Sequence, residues 1–232
     1  MRWVVLRAVV GGVLATACTT DPGTRQPLTP TKALLVRGPV SVQVLLGTTS
    51  EPSIQLEGAV RWSSTPERLL VEASADAQRP TAFVTMKDLR AVVTEDDATV
   101  TVNRLLGGRL ELAARRGGRL VVSHLEADTL RIDASSDGQV DVGGRTRVLD
   151  ARVDDVGVAH TRSLQTVVAR IDAAGLSTVT LGAPELVRAT VTRSSRLIVE
   201  GPSRRRLIQC DDSSTVEPGA GAAGTQVPTA GR

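Results

Sequence analysis

The sequence holds no tyrosine, a single phenylalanine (Phe83) and two tryptophans (Trp3 and Trp62) among its 232 residues. A core built around aromatic rings is therefore excluded, and Val, Leu, Ile and Ala must fill whatever interior forms. Branched and small side chains of this kind suit thin, repetitive layers. Histidine is confined to His124 and His160, neither with a second histidine or a cysteine close by in sequence. A zinc site or a histidine-activated nucleophile needs more ligands than that. No glycine-rich loop runs into a helical pattern, so the usual phosphate cradle is missing. No cofactor and no metal are expected.

Charge of one sign is also lacking. Basic residues number 28 against 25 acidic, and Lys32 and Lys87 are the only lysines. Removal of Met1–Ala17, argued next, takes away Arg2 and Arg7 and leaves the two signs almost equal. No global basic field supports nucleic-acid binding.

Long hydrophobic runs are absent as well. The uncharged stretch from Ala8 to Ala17 falls far short of the ~20 residues a spanning helix needs. With Arg2 and Arg7 before it and Ala15-Thr16-Ala17 after it, residues 1–17 read as a signal peptide removed on export. Leu14-Ala15-Thr16-Ala17-Cys18 resembles a bacterial lipobox, so Cys18 is the expected lipid attachment site and the membrane the first expected partner. Thr19, not Asp, follows the cysteine, which points to the outer membrane of a Gram-negative envelope. Residues 18–31, rich in Thr and Pro, read as a flexible tether. Cys210 is the one other cysteine, so no disulfide framework exists; a Cys18–Cys210 bridge is the rival to acylation. Residues 210–232, mostly Gly, Ala, Ser, Thr and Pro, read as a disordered tail.

Between them, residues 32–209 show strand patterns separated by Gly, Asp, Ser and Pro turns, and almost no helical period. The second half repeats. Leu130-Arg131-Ile132-Asp133, Ala151-Arg152-Val153-Asp154 and Ala169-Arg170-Ile171-Asp172 share one pattern, with Arg109-Leu110-Glu111 before them and Val187-Arg188-Ala189-Thr190 after. The arginines step by 22, 21, 18 and 18 residues. Short second strands follow, at Leu120–Val122, Val140–Val142, Val156–Val158, Val179–Leu181 and Leu197–Val199. A period near 20 with two strands per copy marks an all-β parallel solenoid. An antiparallel sandwich would explain the strands but not the recurring Arg-x-Asp. Ile132, Val153 and Ile171 are expected to stack as one inward column.

The opening Leu34-Leu35-Val36-Arg37-Gly38-Pro39-Val40-Ser41-Val42-Gln43-Val44 resembles the start of a known family of exported bacterial proteins. So do the strands at Ser53–Leu56, Arg68–Ala73 and Thr81–Met86, and Leu89–Val93 running into the repeats. That family is the "putative auto-transporter adhesin, head GIN domain". The resemblance implies a single-stranded right-handed parallel β-helix at the cell envelope, acting as a structural, adhesin-like or binding module.

Strand residues alternate faces, so an inward Ile132 turns Arg131 and Asp133 outward. In-register stacking then predicts a column of Arg109, Arg131, Arg152, Arg170 and Arg188 beside one of Glu111, Asp133, Asp154 and Asp172. Two readings follow. The columns form a self-satisfied charge lattice, or the arginines take an anionic envelope polymer. Other open readings are a polysaccharide-active β-helix enzyme and a regulatory or chaperone-like partner of another envelope protein. Asp154-Asp155 and Glu95-Asp96-Asp97 are the carboxylate pairs an enzyme would use. They read better as acidic turns, because the chain has almost no aromatic platforms to hold sugar rings. The chain is not expected to be an enzyme. Arg204-Arg205-Arg206 reads as a solvated cap or a contact for anionic headgroups.

Overall fold

The computed structural model describes residues 23–47, 51–74 and 79–218. Cys18, the signal segment and residues 219–232 lie outside the described residues, as do residues 18–22 of the expected tether. The described chain is all strand and turn, a parallel β-solenoid with coils of about 20 residues. In chain order the strands are β1 (Arg25–Pro27), β2 (Ala33–Arg37), β3 (Ser41–Leu46), β4 (Ser53–Glu57), β5 (Val60–Ser64), β6 (Arg68–Ala73), β7 (Thr81–Met86) and β8 (Ala91–Glu95). Three long strands follow that bend around a coil: β9 (Thr99–Arg115), β10 (Arg119–Ser135) and β11 (Gln139–Val153). The last coils are built from β12 (Val158–Thr161), β13 (Leu164–Ala174), β14 (Thr178–Leu181), β15 (Leu186–Thr192), β16 (Arg196–Val199), β17 (Arg205–Cys210) and β18 (Thr215–Pro218).

Two stacks run the length of the molecule. One ascends β5, β6, β2, β8, the second half of β9, then β10, β11, β13, β15 and β17. The other ascends β1, β4, β7, β3, the first half of β9, then β10, β11, β12, β14, β16 and β18. Every ladder is parallel except β1–β4, β4–β7 and β5–β6, which close the N-terminal end. The sandwich reading is excluded by this topology. Bends between the halves need close backbone approach. Gly144 has φ +125°, and a Cβ there would meet the Leu125 carbonyl oxygen at 2.1 Å, so only glycine fits.

The repeat is present, but its register is two residues away from the sequence alignment at one coil. Ile132 faces Ala151, which faces Ile171, which faces Ala189. Val153 belongs to the next inward column, between Ala134 and Ala173. All of these are buried. The reason is volume. A rung that carries Ile in the middle position (Ile132, Ile171) carries Ala in the third (Ala134, Ala173), and the intervening rungs reverse this with Ala151-Val153 and Ala189-Val191. From β10 to β15 bulk thus alternates between the two columns, whereas β9 and β10 stack Leu112 on Ile132 and Ala114 on Ala134. A motif search for a branched residue after Arg therefore slides by one inward position.

Three further expectations are corrected. β1 occupies part of the expected tether, pairing with β4. Residues 210–218, expected to be disordered, finish β17 and form β18, which pairs with β16. The second strand expected at Val156–Val158 begins at Val158, while Val156 is exposed in the preceding turn.

Candidate functional site

The outward side chains of the β9–β15 stack form a charged face. Arg131 faces Glu111 on one side and Asp150 on the other, and Asp150 faces Arg170. In the adjacent column Asp133 faces Arg152, which faces Asp172. Along each strand the sign also alternates: Arg131 then Asp133, Asp150 then Arg152, Arg170 then Asp172. The result is a checkerboard, each charge bordered by opposite charges. The expected column of Arg109, Arg131, Arg152, Arg170 and Arg188 is thus not formed as a column. Arg109 faces Thr129, Arg152 lies one column over, and Asp150 takes the place between Arg131 and Arg170. Opposite charges across parallel neighbours are favourable where like charges would be destabilising by up to ~1 kcal/mol per pair.

The ion pairs follow the lattice. Arg109 Nε approaches Glu111 Oε1 at 3.7 Å, and Arg170 Nη1 approaches Asp150 Oδ1 at 3.7 Å. Arg115 Nη2 donates to Asp133 Oδ2 at 2.9 Å. Arg152 Nε donates to Asp154 Oδ2 at 2.8 Å, and that bond raises the arginine's pKa further, with smaller support from Asp172 and Asp133. Among the described residues Arg131 and Arg188 have no ion pair.

The alternation breaks at one place. Arg170 faces Arg188, and Asp172 faces the uncharged Thr190. Here positive charge meets positive charge, and Arg188 next faces Leu207. The five arginines do share one feature. All line an open concavity of about 560 Å³, together with Asp150 and Asp172.

The other candidates fall elsewhere. His124 and His160 are both exposed but belong to different columns, His124 opposite Arg104 and His160 opposite Asp141. Among the described residues no group of three or more His, Cys, Asp or Glu side chains could hold a metal ion. Asp96, Asp97 and Asp155 have φ of 57°, 65° and 57°, the left-handed turn geometry that Asp tolerates. Glu95 is different: expected to belong to the acidic turn with Asp96 and Asp97, it is instead the buried last residue of β8. It is 7% exposed and accepts from Arg37 Nε at 2.9 Å and Arg116 Nη2 at 2.8 Å, with Arg115 Nη1 at 4.0 Å. Arg37, Glu95 and Arg115 face one another on β2, β8 and β9, so one carboxylate ties the N-terminal strands to the coils. Their shared strand-end position was the only signal, and it needs the register to be read. No helix of the described residues is long and apolar enough to cross a membrane.

Solved structures share this fold. A protein from Bacteroides fragilis described as a putative adhesin superposes with a TM-score of 0.77 at 13% identity, over 84% of this chain and 94% of its own. Another described as a putative adhesin, from Parabacteroides merdae, gives 0.63 at 17% identity over 84% and 94%. A protein from Parabacteroides distasonis, described as a putative lipid binding protein, gives 0.58 at 12% identity, again over 84% and 94%. At these identities the likeness concerns the fold. No curated protein matches the sequence significantly. The profile of one family matches residues 33–202, the span of the two stacks almost from end to end, and the chain belongs to that family, described as "putative auto-transporter adhesin, head GIN domain".

Proposed function

We propose that this chain is an exported, adhesin-like binding module, held in the envelope by a lipid on Cys18, with the charged concavity as its contact face. The observation that carries the reading is the break in the checkerboard at Arg170 and Arg188. Elsewhere on the face each arginine has acidic neighbours, so an incoming anion competes with a carboxylate already in place. At Arg188 there is none across the strand, and its guanidinium fork is open to a phosphate or carboxylate. Arg131 has no ion pair of its own but lies between Glu111 and Asp150, so an anion there would meet two carboxylates. The ligand class that fits is a polymer of the envelope bearing spaced phosphates or carboxylates. A wide, shallow, ring-free concavity suits contact with a polymer surface better than catalysis on an enclosed substrate.

The test uses lipopolysaccharide and polygalacturonate as phosphate-bearing and carboxylate-bearing probes, at low and high salt. The Arg170→Gln/Arg188→Gln double variant is expected to lose most of its affinity, each lost charge-assisted bond removing about 1.5–3 kcal/mol. Arg152→Gln, which removes a lattice arginine held by Asp154, is expected to bind nearly as the parent does. Binding by the double variant equal to the parent's, or insensitive to salt, overturns the reading.

A further inference from the structure

The coil formed by β11 is one residue short where it turns from one stack to the other. Val122 faces Val142 and Leu125 faces Gly144, so Ser123 and His124 stand against Gly143 alone. On the far side Asp141 faces His160 and Gly144 faces Leu164, so three residues, 161–163, stand against two. Gly144 closes the gap by lying against the Leu125 backbone, in the place that Leu125 and Leu164 hold in the flanking coils. Outside it a notch of about 360 Å³ is left between those coils. Gly143 is its floor. A Cβ there would stand 3.0 Å from the Ser123 carbonyl oxygen and 3.5 Å from Ser163 Cβ, filling the space between the two walls. Register irregularities of this sort re-aim side chains next to functional sites.

The side chains around the notch keep their hydrogen-bonding capacity free. Glu126 faces Arg145, which faces Gln165, and all three are exposed. Among the described residues Glu126 and Arg145 make no ion pair, although opposite charges meet across the ladder, and the side chains of Ser123, His124, Ser163 and Gln165 make no hydrogen bond. These are middle coils with a neighbour on each side: Glu126 stands between Leu106 and Arg145, and Arg145 between Glu126 and Gln165. The two charges say what fits. A simple anion on Arg145 would meet the Glu126 carboxylate, and a simple cation on Glu126 would meet the Arg145 guanidinium. A zwitterion satisfies both. Neighbouring strands lie ~4.8 Å apart, which sets the separation its charges need. The one carbon between the charged groups of an α-amino acid is too short. An ammonium two carbons from a phosphate ester oxygen spans about one strand spacing. Guanidinium forks favour phosphate oxygens, and a carboxylate accepts from an ammonium.

We infer that the notch is a second binding site, separate from the charged concavity, and that it takes an ethanolamine phosphate ester. Arg145 holds the phosphate, Glu126 holds the ammonium, and the open side leaves room for whatever the ester is attached to. Nothing in this depends on the role proposed for Arg170 and Arg188, which belong to the β13–β15 ladder.

Calorimetric titration of the exported chain carrying Cys18→Ser with O-phosphoethanolamine tests this. Binding is expected, with inorganic phosphate and phosphocholine about tenfold weaker or worse. Phosphate lacks the ammonium, and the methylated nitrogen of phosphocholine has no proton to donate. Glu126→Gln and Arg145→Gln are each expected to weaken binding about tenfold or more, while Arg170→Gln/Arg188→Gln leaves it unchanged. Gly143→Ala, whose methyl enters the floor, is expected to weaken it as well. Circular dichroism checks that each variant is folded, and the Glu126 and Arg145 variants, at exposed positions, decide the matter if Gly143→Ala is not. Vesicles of phosphatidylethanolamine, compared with phosphatidylcholine, identify the source. Binding to the former assigns a lipid headgroup, and binding to the soluble ester alone assigns a lipid-free ester. No binding of the ester at millimolar concentration, equal affinity for inorganic phosphate, or binding indifferent to Glu126→Gln overturns the inference. Binding that arises only when residues 219–232 are deleted assigns the notch to the chain's own tail and overturns it too.

Discussion

Arg131 and Asp150 face each other across the β10–β11 ladder, and Asp150 faces Arg170 in turn on β13. In a parallel solenoid the same position recurs every coil, so a repeat copied without change would stack like charges along the whole molecule. Reversing the order of the two charges in alternate coils, Arg131-Ile132-Asp133 against Asp150-Ala151-Arg152, removes that repulsion and uses it to hold register. A slip of two residues would bring Arg131 opposite Arg152.

Arg131→Asp is expected to destabilise the protein by about 0.5–2 kcal/mol, since it sets an acid between Glu111 and Asp150 and each like pair costs up to ~1 kcal/mol. Denaturant titration at low and high salt checks it. The loss is expected to shrink at high salt, because these side chains are exposed enough to be screened. An equal loss at both would mean that packing, not charge, had been changed.

The repeat, its period and the all-strand architecture were legible because each rests on local alternation: Leu130-Arg131-Ile132 reads in, out, in wherever it stands. The lattice was not legible in the same way. Which residue faces Arg131 depends on the length of the coil between Ile132 and Ala151, and that length varies. Aligning on Arg152 matched a residue type where the fold had matched a volume, Ala151 under Ile132. Glu95 was hidden for a related reason. Its neighbours Asp96 and Asp97 are turn residues, and nothing local distinguishes the one carboxylate that three distant arginines bury.

Acid is expected to loosen the molecule at particular turns. The Ser214 hydroxyl, and next the Arg193 N–H, hold the Asp211 carboxyl down at about 2 from its ordinary 3.8. The hydrogen bond from Arg116 lowers that of Asp96. A depressed carboxyl contributes stability that is complete above its unfolded value and is lost as pH falls towards its folded value. Stability should therefore decline from about pH 4 to about pH 2, and the Asp96→Asn/Asp211→Asn double variant should show a shallower decline. Thermal melts across that range read the slope; parallel curves for parent and variant would refute the assignment.

The address has its own measurement. Mass spectrometry of the membrane fraction is expected to find the mature chain beginning at Cys18 with a lipid on it, and Cys18→Ser is expected to release the protein into the soluble fraction. One or two acyl chains set membrane affinity through their buried methylenes, at about 0.8 kcal/mol each. A soluble parent with an unmodified Cys18 would end the lipoprotein reading.

Glu95 gives the sharpest stability test because its cluster is asymmetric. The carboxylate is 7% exposed, while Arg37, Arg115 and Arg116 are 43%, 42% and 53% exposed. Each arginine also has a second acid, Glu72 for Arg37, Asp133 for Arg115 and Asp96 for Arg116. Removing the acid by Glu95→Gln leaves three guanidiniums that keep water and one carboxylate apiece, so the expected cost is that of lost charge-assisted bonds, about 1.5–3 kcal/mol. Removing the bases is worse. Arg37→Met with Arg116→Met strips the two short bonds from a buried carboxylate and leaves Arg115 at 4.0 Å, and breaking a buried pair in this way costs about 3–5 kcal/mol. Adding Glu95→Gln to that double variant should then recover stability, because the buried charge itself is gone. Chemical denaturation of the four proteins decides it. A triple variant less stable than the double would show that Glu95 contributes by packing or shape, and that the three arginines are incidental to the join between β2, β8 and β9.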